Sequence, residues 1–263
     1  MAMGNDQDYE QFKELIFHLT GINLSYYKED QMRRRLNTLR MKKNMPSFVA
    51  YYQAIRQSSE LLNEFLSRMT INVTEFFRNR SRWDVLDEQV KQFAKTRHRL
   101  RVWSAACSTG EEPYSLAMLI RRHFAAGSFT ITATDIDREV LQRAQEGSYL
   151  EQALTSVTEE ERRRYFTRDG LMYKVNPVLK EDIRFRQHDL LRGELPGQFD
   201  LVVCRNVLIY FTEEGKKIIY HKISRSLDPG GILFVGSTEQ IFHPEEFAFT
   251  SIETFFYQKQ TSN

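Results

Sequence analysis

The sequence lacks the features by which several large classes of protein are recognised. Its two cysteines, Cys107 and Cys204, lie among apolar or small residues without zinc-site spacing, so we expect reduced thiols and no metal site. No apolar run approaches the roughly 20 residues of a membrane span. The polar, acidic start predicts no signal peptide. We therefore expect a cytoplasmic protein without membrane insertion.

Phosphate and nucleic-acid signals are also missing. The chain has no Gly-x-Gly-x-x-Gly and no Gly-Lys-Ser/Thr motif. Its net charge of +2 is too small to indicate nucleic acid. What is present is typical of a folded protein, because 41% of the 263 residues are hydrophobic and 27% are charged.

The periodicity of apolar residues changes along the chain. Residues 1–70 predict a small all-α domain, and residues 71–99 a linker that contributes to a ligand site. From Leu100 onwards strands and helices alternate, which predicts an α/β domain over 100–263 with a doubly wound, mostly parallel sheet. Asp169-Gly170 predicts a hairpin, and hence a small β-subdomain at about 163–182.

A turn of small residues, Ser104 to Gly110, follows the first predicted strand and precedes Glu111 and Glu112. Small residues let a ligand approach the backbone at the edge where doubly wound sheets bind ligands. Acidic side chains at the helix start disfavour phosphate. The turn therefore suits a ligand with cationic and hydroxyl groups, and S-adenosylmethionine fits. The alternative is a capping box, Thr109-x-x-Glu112, which needs no ligand.

Two later strand ends carry polar residues. Asp135 ends the second predicted strand, where an acidic residue holds ribose hydroxyls, although a plain turn is the alternative. Asp137 suits the N-cap of the following helix. Asn206 follows a buried strand, and Tyr210 lies four residues later, so both can face one side of a turn. Their alternative is a loop in which the tyrosine merely packs.

Two further segments admit a functional and a structural interpretation. The linker places Asn72, Thr74 and Arg78 among apolar and aromatic residues. It therefore either covers a cofactor or holds two domains together through hydrophobic contacts. The basic helix predicted at Lys28–Lys43 is either an electrostatic docking surface for an acidic partner or a face that is simply exposed to solvent. Its relevant residues are Arg33, Arg34, Arg35 and Arg40.

Five segments together resemble one family, the chemotaxis receptor methyltransferases (the CheR family). These segments are NVTEFFR, SAACSTGEEPYSLA, ATDID, CRNVLIYF and GSTEQIF. The resemblance covers essentially the whole chain in order. It implies transfer of a methyl group from S-adenosylmethionine to glutamates on the cytoplasmic helices of chemoreceptors. The products are S-adenosylhomocysteine and a glutamate γ-methyl ester.

The resemblance also implies roles for individual residues. Arg78 and Tyr210 would be nearest to methyl transfer. Glu111 would face the amino end of the cofactor, Asp135 would hold the ribose, and Asp189 with Leu190 would flank the adenine. The complete cofactor-binding set is Asn72, Thr74, Arg78, Glu111, Asp135, Asp189, Leu190, Asn206 and Val207.

One departure from the family bears on docking. Family members that tether to a receptor tail have a longer, glycine-containing loop where this chain has the short Asp169-Gly170 hairpin. Tail tethering is therefore disfavoured, and docking through the basic helix is favoured. Two other functions stay open: a non-catalytic regulator that binds S-adenosylmethionine, and a nucleic-acid methyltransferase, although no Pro-Pro pair or stacking aromatics support the latter.

Overall fold

The computed structural model describes residues 2–69 and 74–261. Its helices are α1 Ala2–Thr20, α2 Glu29–Lys42, α3 Phe48–Gln57, α4 Ser59–Met69, α5 Arg80–Thr96, α6 Glu111–Ile120, α7 Arg138–Glu146, α8 Glu159–Tyr165, α9 Pro177–Lys180 and α10 Glu213–Ser226. Its strands are β1 Leu100–Ala105, β2 Phe129–Asp135, β3 Ser148–Leu150, β4 Phe166–Asp169, β5 Met172–Val175, β6 Ile183–Gln187, β7 Phe199–Cys204, β8 Leu227–Val235, β9 Phe249–Glu253 and β10 Phe256–Lys259. None of the described helices is both long and apolar enough to cross a membrane.

The chain divides into two compact units. The first consists of Met1–Ile71 and Val207–Ile219, and the second of Asn72–Asn206 and Tyr220–Asn263. The second unit therefore contains all ten strands named above, while a short segment late in the chain belongs with the N-terminal helices.

Aromatic side chains form the core of the first unit. The ring of Phe12 lies 5.3 Å from that of Phe48 and 6.1 Å from that of Phe65, measured between centroids. Ser47 begins α3 by accepting a hydrogen bond from the amide of Ala50 at 3.0 Å. Buried rings and a local cap thus position α3 within this helical unit.

The late segment of the first unit pairs with the stretch before α2. Tyr27 and Phe211 form an antiparallel bridge, and their rings lie 4.8 Å apart. The amide of Lys28 donates to the carbonyl of Tyr210 at 2.9 Å, and the amide of Thr212 donates to Tyr26 at 2.8 Å. These main-chain bonds hold Tyr210 within the first unit.

The second unit is built on a seven-stranded sheet in the order β6-β2-β1-β7-β8-β10-β9. β6, β2, β1, β7 and β8 run parallel, whereas β10 is antiparallel to both β8 and β9. The parallel strands are added first on one side of β1, as β2 and β6, and then on its other side, as β7 and β8, so the strand order reverses at β1. A ligand crevice is expected outside the carboxyl ends of the strands at that point. The predicted α/β fold class, with a mostly parallel sheet, is confirmed.

A second, three-stranded antiparallel sheet has the order β3-β5-β4. β4 and β5 form the hairpin predicted around Asp169-Gly170, with Asp169 paired to Met172. The sequence analysis did not identify β3, which has only three residues and pairs with β5 from a distance along the chain.

The helix α5 lies in the segment interpreted as a linker. Trp83, Leu86, Val90 and Phe93 recur at helical spacing and are buried. The residue before this helix, Asn79, has a left-handed backbone and makes no side-chain cap. The usual start signal is therefore absent, and tertiary packing of one apolar face stabilises the helix.

Candidate active site

The turn between β1 and α6 is compact and partly left-handed. Ala106, Ser108 and Gly110 have φ values of 66°, 49° and 100°. A Cβ built on Gly110 would lie 2.9 Å from both Ala144 Cβ and Tyr149 Oη, so only glycine fits there. The Tyr149 hydroxyl donates to the carbonyl of Thr109 at 2.7 Å. The turn is thus held from outside by α7 and the small sheet.

The two glutamates that follow this turn point to different partners. Glu111 is 5% exposed and accepts a hydrogen bond from Thr109 Oγ1 at 2.7 Å. Its burial raises the pKa of this carboxyl above its usual range. Glu112 accepts from Ser104 Oγ at 2.8 Å, and its Oε2 lies 3.8 Å from Arg205 Nη1. Burial raises the pKa of Glu112 to about 7, although the Arg205 charge opposes the rise.

The alternative interpretation of this turn as a capping box is wrong. The N-cap of α6 is Gly110, which makes no side-chain cap, and Thr109 bonds to Glu111 instead of the amide of Glu112. Because the acidic side chains do not cap the helix, they stay oriented by Thr109, Ser104 and Arg205.

Asp135 lies at the end of β2 beside this turn. Its Oδ2 accepts from the amide of Ser108 at 2.9 Å, and its Oδ1 accepts from the amide of Asp137 at 3.1 Å. The residue is 6% exposed, and burial raises its pKa to about 6. As predicted, Asp137 is the N-cap of α7, where its Oδ1 accepts from Glu139 at 2.8 Å. The carboxylate of Asp135 therefore ties the ends of β1 and β2 together.

The segment containing Arg78 has an unusual backbone. Phe77 and Asn79, on either side of Arg78, have φ values of 50° and 59°. The amide of Phe77 donates to Ser115 Oγ at 3.0 Å, which anchors the segment to α6. Thr74 is half-buried. Asn72 lies outside the described residues.

The segment after β7 is divided between the two units. Asn206 belongs to the second unit and has a left-handed backbone, and its amide donates to Glu239 Oε2 at 2.6 Å. Val207 and Tyr210 belong to the first unit. There the Arg35 guanidinium lies over the Tyr210 ring at 4.9 Å, a cation–π contact. The predicted four-residue turn contains a 3-10 helix, Leu208–Tyr210.

Asp189 and Leu190 follow β6, the neighbour of β2. The preceding residue, His188, donates its amide to the carbonyl of Asp135 at 2.9 Å. Asp189 Oδ1 accepts from the amide of Leu191 at 2.8 Å, and Leu190 is buried. The structure thus places five of the predicted residues at the carboxyl ends of adjacent strands: Glu111, Asp135, Asp189, Leu190 and Asn206.

The sequence interpretation missed several residues that support this edge. They are Ser115, Tyr149 and Glu239. Glu239 follows a predicted strand, so its position in the chain was a usable signal, as it was for Arg205, which the sequence places with Asn206 at the end of a strand. Ser115 and Tyr149 gave no signal in the sequence, because their hydrogen-bond partners are distant along the chain.

The carboxylates at this edge fit S-adenosylmethionine. Glu111, Asp135 and Asp137 are buried, and Asp137 Oδ2 finds no hydrogen-bond partner within the described part of the chain. A buried acceptor of this kind requires a donor, such as a ribose hydroxyl or an ammonium group, and repels a phosphate. Within residues 2–69 and 74–261, no three histidine, cysteine or acidic side chains are grouped as metal ligands. The fold and site are those of a Rossmann-like, S-adenosylmethionine-binding methyltransferase.

Comparison with known proteins gives the family. The model of the "CheR methyltransferase, SAM binding domain" matches residues 72–256, and that of the "CheR methyltransferase, all-alpha domain" matches residues 7–70. The chain therefore belongs to the CheR methyltransferase family. It is an S-adenosylmethionine-dependent methyltransferase of chemotaxis, which confirms the expected cofactor.

Curated relatives agree over nearly the full chain. A chemotaxis protein methyltransferase of Listeria monocytogenes is 44% identical, covering 97% of this chain and 98% of the relative. The Escherichia coli K12 protein of the same name is 33% identical, covering 92% and 87%. Chemotaxis protein methyltransferase Cher2 of Pseudomonas putida is 35% identical, covering 92% of both chains.

Proposed function

We propose that this protein transfers the methyl group of S-adenosylmethionine to glutamate side chains on the cytoplasmic helices of chemoreceptors, forming γ-methyl esters. The observation that carries the proposal is a pair of arginines at an edge otherwise lined by carboxylates. Burial raises the pKa of Glu112 to about 7 and lowers that of Arg205, and the positive charge of Arg78 acts on both groups in the lowering direction, so Arg78 lies near both. Such cations suit an anionic acceptor, and a glutamate is already ionised at neutral pH because its reference pKa is about 4.3.

This chemistry needs no general base. The bound cofactor supplies an electrophilic methyl group on its sulfonium. The protein must align a carboxylate oxygen with that methyl group and exclude water, and such orientation contributes about 7–11 kcal/mol in favourable cases. We assign Arg78 to orienting the acceptor carboxylate and Tyr210 to supporting the donor side.

The remaining site residues would hold the cofactor. Glu111 would accept from its ammonium group, Asp135 would accept from the ribose hydroxyls, and Asp189 would accept from the adenine amino group. Leu190 would pack on the adenine. Asn72, Thr74, Arg78, Asn206 and Val207 complete the proposed set.

We propose that α2 docks on the receptor, and its internal contacts single out one arginine. Arg33 pairs with Asp6 at 2.6 Å, Arg35 donates to the carbonyl of Met69 at 3.0 Å, and Arg40 donates to that of Met45 at 2.6 Å. Arg34 is exposed. Among these four arginines, Arg34 is therefore best placed to contact an acidic helix of the receptor. Docking through α2 in this way would not need a tethered receptor tail.

The test is to incubate the protein with methyl-labelled S-adenosylmethionine and receptor cytoplasmic fragments, and then measure base-labile label. Release of labelled methanol by base would support a carboxyl methyl ester. Cofactor binding without label would indicate a non-catalytic regulator, and label on nucleic acid supplied in place of the receptor fragments would indicate the other alternative. Either of these outcomes would overturn the proposal.

The residue roles need a separate measurement. We expect Arg78→Lys and Tyr210→Phe each to lower kcat by about 10- to 100-fold, because misplacement by about 1 Å costs that much. Near-normal methyl transfer by both variants would contradict these assignments while leaving the reaction itself intact.

A further inference from the structure

The main-chain carbonyl of Arg78 accepts hydrogen bonds from two buried side chains. Trp83 Nε1 donates to it at 3.0 Å, and Arg205 Nη2 donates at 2.8 Å. Trp83 lies on α5 and Arg205 directly follows β7, so the two donors reach the carbonyl from different elements. A carbonyl with both lone pairs engaged has little freedom to rotate.

Arg205 is held in place on several sides. The residue is only 6% exposed, and its guanidinium lies 4.8 Å from the Phe234 ring and 5.7 Å from the Trp83 ring. Its Nη1 lies 3.8 Å from Glu112 Oε2, which Ser104 orients. A buried ion pair of this kind is weak evidence for stability, because desolvation offsets much of the attraction. The planar guanidinium of Arg205, however, can hold one carbonyl and one carboxylate at once.

The backbone that Arg205 holds is strained. Phe77 and Asn79 both have a positive φ, which is costly for the bulky Phe77 and tolerated by Asn79. The Arg80 guanidinium covers the Phe77 ring at 4.0 Å, and Ser115 accepts the Phe77 amide. The direction in which Arg78 leaves the backbone therefore depends on contacts that keep a disfavoured conformation in place.

We propose that Arg205 is a positioning residue for methyl transfer, which fixes the backbone of Arg78 and thereby the direction of its guanidinium. The inference rests on the proposed role of Arg78. Arg205 itself need not touch the acceptor carboxylate, since it acts through the carbonyl of Arg78 and is anchored by Glu112.

The first test compares Arg205→Lys with Arg97→Lys. Lysine keeps the charge but cannot bridge the carbonyl and Glu112. Arg97 is a matched control, because it pairs with the buried carboxylate of Asp200 and covers the Phe93 ring. It precedes the amino end of β1, whereas the site residues follow the carboxyl ends of the strands. We expect Arg205→Lys to lower kcat about tenfold with KM for the receptor fragment nearly unchanged, and Arg97→Lys to leave kcat unchanged.

A double-mutant cycle separates positioning from a merely structural role. If Arg205 acts through Arg78, then Arg205→Lys changes the residual rate of the Arg78→Ala variant less than about twofold. An equal loss of kcat in both backgrounds would overturn the inference, and so would an unchanged kcat in the Arg205→Lys single variant.

Hydrogen exchange gives a readout that does not depend on methyl transfer. We expect the Phe77 amide to exchange about tenfold faster in Arg205→Lys and in Trp83→Phe, and at the normal rate in Arg97→Lys. Unchanged exchange in both site variants would contradict the inference. A normal rate of methyl transfer in Arg78→Ala would instead refute the proposed role of Arg78, and exchange would still report whether Arg205 fixes the segment.

Discussion

At the scale of single residues, the proposed contact between Asp135 and the ribose predicts cofactor binding that is sensitive to pH. Its pKa is raised to about 6 by burial, so the carboxylate becomes protonated as the pH falls through that value. Protonation removes a negative charge and part of the acceptor capacity that a ribose diol needs. We expect the affinity for S-adenosylmethionine, measured by calorimetry, to decrease between about pH 7 and about pH 5.

Asp135→Asn tests this dependence directly. The variant should bind S-adenosylmethionine at least about tenfold more weakly at neutral pH, and its affinity should vary less across the same range. Asp169→Asn is the control, because Asp169 is an exposed carboxylate in the small hairpin. A pH dependence that survives in Asp135→Asn would assign the titration to another group.

The same burial has an opposite effect on the stability of the protein. Because the folded pKa of about 6 lies above the ordinary value of 3.8, the folded state holds the proton more tightly than the unfolded state. The contribution of Asp135 to stability is therefore complete below the ordinary value and is lost as the pH rises through about 6. The ionised form that suits the ligand is the form that the fold accommodates less readily.

At the scale of elements, the turn before α6 depends on the absence of a side chain at Gly110. Gly110→Ala would bring a Cβ within 2.9 Å of both Ala144 and Tyr149 while keeping φ at 100°. We expect a loss of stability greater than the roughly 1–2 kcal/mol of left-handed strain alone, together with weaker cofactor binding. Denaturant unfolding and calorimetry measure the two effects.

Gly127→Ala is the matched control for this substitution. Gly127 also has a positive φ, of 76°, but a Cβ there would meet nothing within 4 Å. It should therefore show the strain alone, with unchanged cofactor affinity. Equal losses of stability in the two variants would show that the turn adjusts to the added methyl group.

The small sheet supports the same turn through a single hydroxyl. Tyr149→Phe removes the bond to the carbonyl of Thr109 and leaves that acceptor without its donor. We expect a loss of about 1–3 kcal/mol in stability or in cofactor-binding free energy. The control is Tyr173→Phe, which changes the residue paired with Tyr149 on the neighbouring strand. The same loss of affinity in the control would contradict a specific role for the Tyr149 hydroxyl.

At the scale of the whole molecule, α2 presents an exposed stripe that can meet a large partner. Its exposed residues Gln31, Arg34, Thr38 and Met41 recur at helical spacing. Arg34→Glu should raise KM for receptor fragments about three- to tenfold at low salt, with less effect at higher salt, and should leave cofactor affinity unchanged. Steady-state kinetics at two salt concentrations measure this.

Arg56→Glu is the control for docking, because Arg56 is an exposed arginine on α3 of the same unit. It makes the same change of charge at a different surface. A similar rise of KM in both variants would indicate a general electrostatic attraction, whereas no rise in Arg34→Glu would remove α2 from the docking surface.

Local patterns in the sequence determined the fold class and the residues at the strand ends. Alternating periodicity, small residues after β1 and carboxylates after β2 are local signals, because each reflects the physics of one turn or one strand end. The same physics explains why the Asp137 cap and the Asp169-Gly170 hairpin were predicted correctly.

Only the tertiary structure decided which residues far apart in the chain support one another. Packing places Tyr149 on the carbonyl of Thr109, joins Arg205 to Arg78, and assigns Tyr210 to the unit of the N-terminal helices. The helix α5 likewise lacks a local cap and depends on burial of its apolar face. Such contacts leave no periodic trace in the sequence, because their energy comes from burial and long-range hydrogen bonds that exist only once the chain is folded.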